Sequence, residues 1–147
     1  FSKMGFPEVA RHKSKNVTLH RQGDCDFIIN AEPGSYAEAY ARDHGPSACA
    51  MAFRVKDAKA AHARALSLGA TDVVVAKGDG ELDIPAIEGI GGSRLFFVDK
   101  YGREGGTIYD HDFTFHPDWR EREAAADSKL TYIDHLTHNV NRGQMAT

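Results

Sequence analysis

The stretch SACAMAFRVKDAKAAHARALSLG (47–69) constrains the fold more than any other part of the chain. SACAMAFRV (47–55) reads as a buried strand. Asp57 then stands where it can cap a helix, and Ala60, Ala61, Ala65, Leu66 and Leu68 supply helical periodicity until Gly69 stops it. Strand signals follow at TDVVVAK (71–77), SRLFFVDK (93–100) and GGTIYDHDF (105–113), separated by Gly- and Pro-containing stretches. Residues 47–113 therefore spell βαβββ.

Upstream, NVTLHRQ (16–22) alternates apolar and polar residues, Gly23-Asp24 makes a turn, and Phe27-Ile28-Ile29 returns, which predicts a hairpin. Ser35 stands three residues before Glu38, a capping-box spacing, and opens a helix that Gly45-Pro46 ends. The helices over 35–44 and 57–68 are expected to cover an antiparallel sheet. Downstream, FHPDWREREAAADSK (115–129) is polar, lacks an apolar stripe and reads as a linker, and LTYIDHLTHNV (130–140) reads as a new strand. Ala50–Val55 and His135–Val140 echo each other position by position, so residue 130 would open another βαβββ unit. Residues 16–30 would be the tail of an earlier one.

Hydrophobic residues at 41% and charged residues at 27% predict a folded globular chain, and a net charge of -3 without a basic stripe argues against nucleic acid as a partner. Small molecules fit better. No apolar run reaches the roughly 20 residues of a membrane helix. The start FSKMGFPEV lacks the pattern of a signal peptide, so a cytoplasmic protein is expected. Both ends read as cuts. Cys25 and Cys49 lie in separate apolar segments and are expected to be reduced and not bonded to each other.

Among chemistry-bearing residues, His135 and His138 stand out. Three apart in a strand, they point to opposite faces and cannot share one ion. Thr131, Ile133, His135 and Thr137 would share one face, Asp134 and His138 the other. His12, His20, His44 and His62 are expected on polar surfaces. His111 and His116, with Asp110 or Asp112, follow no standard metal spacing. Gly89-Ile90-Gly91-Gly92 leads into a strand and lacks a following Lys-Ser/Thr, so it reads as a turn rather than a phosphate loop. The charged run 120–123 reads as a solvated face, and no nucleophile elbow supports hydrolase chemistry.

RHKSKNVTLHRQGDCDFIINAEPGS (11–35), HGPSACAMAFRVKDA (44–58), LDIPAIEGIGG (82–92) and LTYIDHLTHNV with NRGQM (130–145) together resemble the bacterial 4-hydroxyphenylpyruvate dioxygenase family. The resemblance is colinear and runs along nearly the whole chain, weakest over 115–129. It implies an α+β fold of paired βαβββ modules, the vicinal-oxygen-chelate or glyoxalase-like fold. Residues 1–114 would form a metal-free amino-terminal domain with an incomplete first module, 115–129 a linker, and 130–147 the start of a catalytic domain. The family holds Fe(II) by two histidines and a glutamate, and its first ligand is the histidine of an IDH motif, which is His135 here. The other two would lie downstream of Thr147, and Ala50 at the echoing position ligates nothing. The fragment alone is therefore expected to be inactive and to hold no iron tightly.

The implied reaction converts an aromatic 2-oxo acid, 4-hydroxyphenylpyruvate, and O2 to homogentisate and CO2 in tyrosine catabolism, in a protein expected to be homo-oligomeric. Alternatives are a 4-hydroxymandelate synthase-like enzyme, a relative fused to a sugar-acid dehydratase, and a non-catalytic small-molecule-binding protein of the same fold.

Overall fold

A computed structural model describes residues 1–103, 106–126 and 129–145. In chain order its elements are β1 (Glu8–His12), β2 (Val17–Gln22), β3 (Cys25–Asn30), α1 (Tyr36–His44), β4 (Ala50–Arg54), α2 (Ala58–Ser67), β5 (Asp72–Val73), β6 (Ala86–Glu88), β7 (Arg94–Val98), β8 (Tyr101–Arg103), β9 (Gly106–Thr107), α3 (Ile108–Asp112), β10 (Phe113–Phe115) and α4 (Trp119–Ala125). One four-stranded sheet runs β10-β1-β2-β3, another β4-β7-β6-β5, and β8 pairs with β9.

The first sheet is antiparallel throughout and holds the main core. The predicted hairpin is β2 and β3, in register from Val17↔Asn30 to Gln22↔Cys25. Val9, Ala10, Val17, Leu19 and Phe113 form its buried cluster, against which Tyr109, Phe115 and Trp119 pack. Val9 and Ala10 are neighbours in sequence and both fully buried, because the register of β1 on β2 shifts between Glu8 and Ala10. That irregularity hides β1 from an alternation test.

The second sheet is the βαβββ unit, formed by β4, α2, β5, β6 and β7. It is mixed rather than antiparallel, since β4 lies parallel to β7 across the α2 crossover. Asp57 caps α2 by accepting from Ala60 N at 2.9 Å, and Asp99 Oδ2 takes Ala58 N at 3.0 Å. Gly69, at φ 96°, leaves the helix in a conformation that L side chains rarely adopt.

Several expectations are corrected. The strands completing the unit are shorter than predicted and one is different. β6 lies in the Pro- and Gly-containing stretch, and β5 makes only the pairs Asp72↔Ile87 and Val73↔Ala86, leaving Val74 at 89% exposure. The β4 strand is not buried: α2 packs on β6 and β7, β4 borders the sheet, and Phe53 is half exposed. Helix α1 covers neither sheet with buried residues. Its Ser35 cap accepts from Glu38 N as expected, while the Glu38 carboxylate reaches Gly34 N at 2.7 Å, one residue earlier than the simple box.

The predicted strand 105–113 is largely the helix α3. Thr107 and Asp110 make a reciprocal capping box that nucleates it, and the chain straightens only at Phe113. Gly105 lies outside the described residues. The segment read as a linker contains α4, which has no apolar stripe yet lies on β1 with the Trp119 ring 5.2 Å from Phe115. Residues 130–140 form no strand, because no other strand among the described residues pairs with them and a strand needs a ladder partner.

Candidate metal centre

The path to His135 begins at the β2–β3 turn. Gln22, 4% exposed, directs its side-chain amide at three pieces of backbone: Nε2 donates to Gly5 O at 2.5 Å and Ala126 O at 2.9 Å, and Oε1 accepts from Leu130 N at 3.0 Å. Next to it, Gly23 N donates to Glu123 Oε1 at 2.9 Å and Asp24 N to Thr131 O at 3.1 Å. Gly23 sits at φ 55°, and a Cβ there would come within 3.3 Å of Leu130 O. The segment that carries His135 is thus pinned at residues 130 and 131.

Beyond the pin the chain is open. The side chain of His135 is 71% exposed, its Nδ1 lies 2.9 Å from Asp134 Oδ2, and its backbone N–H donates to Asp134 Oδ1 at 3.0 Å. Sequence reasoning placed Asp134 on the opposite face and missed this pairing. A carboxylate on Nδ1 is the usual companion of a metal-binding imidazole, since it leaves Nε2 as the donor atom and fixes the ring. His135 offers one such nitrogen, and no group of three or more His, Cys, Asp or Glu side chains among the described residues could hold an ion.

His138 is exposed, and the other six histidines are engaged elsewhere. His20 is buried rather than on the surface, with Nδ1 3.1 Å from Phe6 O and its ring 5.8 Å from that of Phe1. The His12 side chain is likewise covered, at 9% exposure, 3.9 Å from Glu81. His44 stacks on Tyr40, and His62 meets Asp72 at 2.8 Å. His111 pairs with Asp112 and His116 with Glu8, each at 2.8 Å, so these two do not converge. Gly89–Gly92 forms a short helical turn into β7.

Glu81 is the most strongly perturbed carboxylate among the described residues. Burial would raise its pKa, but hydrogen bonds from Lys15, Ser14 and Gly78 N outweigh that and lower it to about 2. This knot, with Lys15 Nζ at 2.5 Å, ties the β1–β2 turn to the segment between β5 and β6. Burial pushes the Tyr109 phenol up, and Asp26 adds to the shift. The Arg21 guanidinium packs over the Tyr109 and Phe115 rings while holding Asp26 at 2.6 Å. Cys25 and Cys49 are free, as expected. Among the described residues no helix is long and apolar enough to cross a membrane.

Residues 1–114 match the family described as "Hydroxyphenylpyruvate dioxygenase, HPPD, N-terminal". Over 147 residues the chain is 54% identical to the protein named hemolysin VllY of Vibrio vulnificus (strain CMCP6), covering 100% of this chain and 41% of that protein. Over 146 residues it is 51% identical to a 4-hydroxyphenylpyruvate dioxygenase of Pseudomonas sp. (strain P.J. 874), covering 99% of this chain and 40% of that enzyme. Among solved structures, a xylose isomerase-like TIM barrel/4-hydroxyphenylpyruvate dioxygenase fusion protein superposes with a TM-score of 0.69 at 40% identity, over 80% of this chain and 19% of that one. The chain thus spans about two fifths of the length of the curated relatives it matches. With a βαβββ sheet, a second antiparallel sheet and a family match along residues 1–114, the chain belongs to the hydroxyphenylpyruvate dioxygenase amino-terminal family, of glyoxalase-like fold.

Proposed function

We propose that the chain is the amino-terminal part of an Fe(II)-dependent dioxygenase that converts 4-hydroxyphenylpyruvate and O2 to homogentisate and CO2. The observation that carries this reading is 51% identity along 99% of the chain to an enzyme of that name. Bound by two imidazoles and a carboxylate, Fe(II) would supply open positions for a 2-oxo acid and for O2.

Within this chain His135 is the residue that would donate to the metal. Asp134 holds its Nδ1, which keeps Nε2 as the ligating nitrogen. The two sheets contribute no ligand in this reading. They hold residues 130 and 131, and so set where the His135 segment leaves the domain. The other two ligands, a His and a Glu, belong to the part of the parent protein that this chain does not span. The chain alone should then lose Fe(II) to a mild chelator, since one imidazole cannot replace a three-ligand site.

The test uses the parent protein. Oxygen uptake with 4-hydroxyphenylpyruvate, and homogentisate as product, are expected, and His135→Ala should remove both together with the iron. Formation of 4-hydroxymandelate would move the protein to benzylic hydroxylation. Binding of the 2-oxo acid without oxygen uptake would make it a binding protein and overturn the proposal. A fused parent is a second reading, favoured by the likeness to the fusion protein, and the parent mass decides it.

A further inference from the structure

We propose that the β2–β3 turn is a latch that carries the amino-terminal domain through to Thr131, so that the pivot between this domain and the rest of the parent protein lies beyond Thr131 and not in the polar stretch 115–129. The inference rests on the reading of the chain as part of a longer enzyme. Three successive residues make the latch. Gln22 Nε2 donates to Ala126 O and its Oε1 accepts from Leu130 N, Gly23 N donates to Glu123 Oε1, and Asp24 N donates to Thr131 O. Gly23, at φ 55°, lets the two backbones close on each other, since a Cβ there would stand 3.3 Å from Leu130 O and 3.4 Å from Thr131 Cα.

Helix ends explain why the latch is strong. The last carbonyls of a helix lack partners within it, and α4 ends at Ala125 with Ala126 O beyond it. Gln22 supplies that partner, and the same Nε2 takes Gly5 O, where the short helical turn Ser2–Met4 ends. At 4% exposure the amide works where water does not reach it, so its loss would strand two carbonyls and the Leu130 N–H. A solvated linker has no use for a buried side chain of this kind. Beyond Thr131 the chain changes character: Tyr132, Ile133 and Leu136 are exposed, and His135 pairs with its own neighbour Asp134. Helix α4 and residues 130 and 131 therefore move with the first sheet, and freedom begins at Tyr132.

The experiment uses the full-length parent protein, with amide exchange and limited trypsin digestion as its two readouts and the amides of β2 as the reference for an intact domain. In the wild type the Leu130 amide should exchange as slowly as β2, and the exposed Arg120, Arg122 and Lys129 should stay uncut until the domain unfolds. Gln22→Leu keeps the volume and removes donor and acceptor together. It should speed exchange at Leu130 at least about tenfold and open the Lys129–Leu130 bond to trypsin while β2 stays protected. Glu123→Ala removes the acceptor of Gly23 N from the α4 side. It should speed exchange at Leu130 about fivefold, with Gln22 intact, because the bonds of one latch open together.

Early cutting at Arg120 or Arg122 in the wild type would overturn the proposal, because 115–129 would then be the linker. Unchanged exchange at Leu130 in Gln22→Leu would overturn it as well. If Gln22→Leu loosens the whole domain, Glu123→Ala decides, and unchanged exchange at Leu130 there sinks the latch. Neither readout needs turnover, so a parent protein without dioxygenase activity would refute the proposed reaction and leave the result on the latch standing, which separates the two failures.

Discussion

Glu81→Gln isolates the most strongly held charge in the domain. The carboxylate accepts from Lys15 Nζ at 2.5 Å, from Gly78 N at 2.6 Å and from Ser14 Oγ, while its own side chain is only 10% exposed. A glutamine of the same shape must turn an NH2 group toward one of those donors. The fall in pKa from 4.5 to about 2 sets an upper limit. About 2.5 units at 1.36 kcal/mol each is roughly 3.4 kcal/mol. Lys15 is one-third exposed, so solvent screening brings the realistic cost to about 1–2 kcal/mol. For a domain of this size that is a drop of about 3–6 °C in melting temperature.

The sign of the pH dependence is fixed by the direction of the shift. A carboxyl with a depressed folded pKa contributes stability that is fully present above its unfolded value of 4.5 and lost as pH falls toward about 2. Urea titrations of both proteins should therefore show the full gap at pH 7 and roughly less than half of it at pH 3. Equal stability at pH 7, or a gap that does not change between pH 6 and pH 3, would refute the account of this knot.

Leu19 is fully buried in the first sheet, so Leu19→Ala should cost about 2–5 kcal/mol in denaturant unfolding. Asp57→Ala removes the side-chain acceptor of Ala60 N and should cost about 1 kcal/mol, with hydrogen exchange rising first in α2. In the parent protein, His138→Ala should leave iron content and oxygen uptake near the wild-type level, in contrast to His135→Ala. Loss of iron in the His138 variant alone would reverse the assignment.

The local signals that proved readable were those whose physics is contained in a few residues. Ser35 and Asp57 cap helices by bonds to their own next turn, and the Gly23-Asp24 reversal sits between an alternating run and an apolar one. Signals that depend on distant partners misled. LTYIDHLTHNV has a strong strand pattern, yet a strand exists only where another supplies its ladder, and none among the described residues does. α4 is polar on its surface and is held mainly by Trp119, which a search for an apolar stripe passes over. Thr107-x-x-Asp110 was a visible capping box inside a run read as a strand, and local capping won. At the candidate centre the IDH motif pointed to His135 through a family resemblance. The Gln22 anchor had no sequence signature, because a buried amide serving three backbone segments is defined only once the chain has folded.

The first sheet is closed by β10, which pairs with β1 only after the whole second unit has been traversed, with His12 opposite Phe113. During synthesis this strand order sets a delay. At 5–20 residues per second, the roughly 100 residues between those partners take about 5–20 s to make. For that interval the outer edge of β1 has no strand beside it and Phe113 is missing from the cluster of Val9, Val17 and Leu19. A released chain ending before Phe113 should therefore recruit chaperones at β1, whereas one ending after Ala125 should not, because α4 and β10 can then cover that edge.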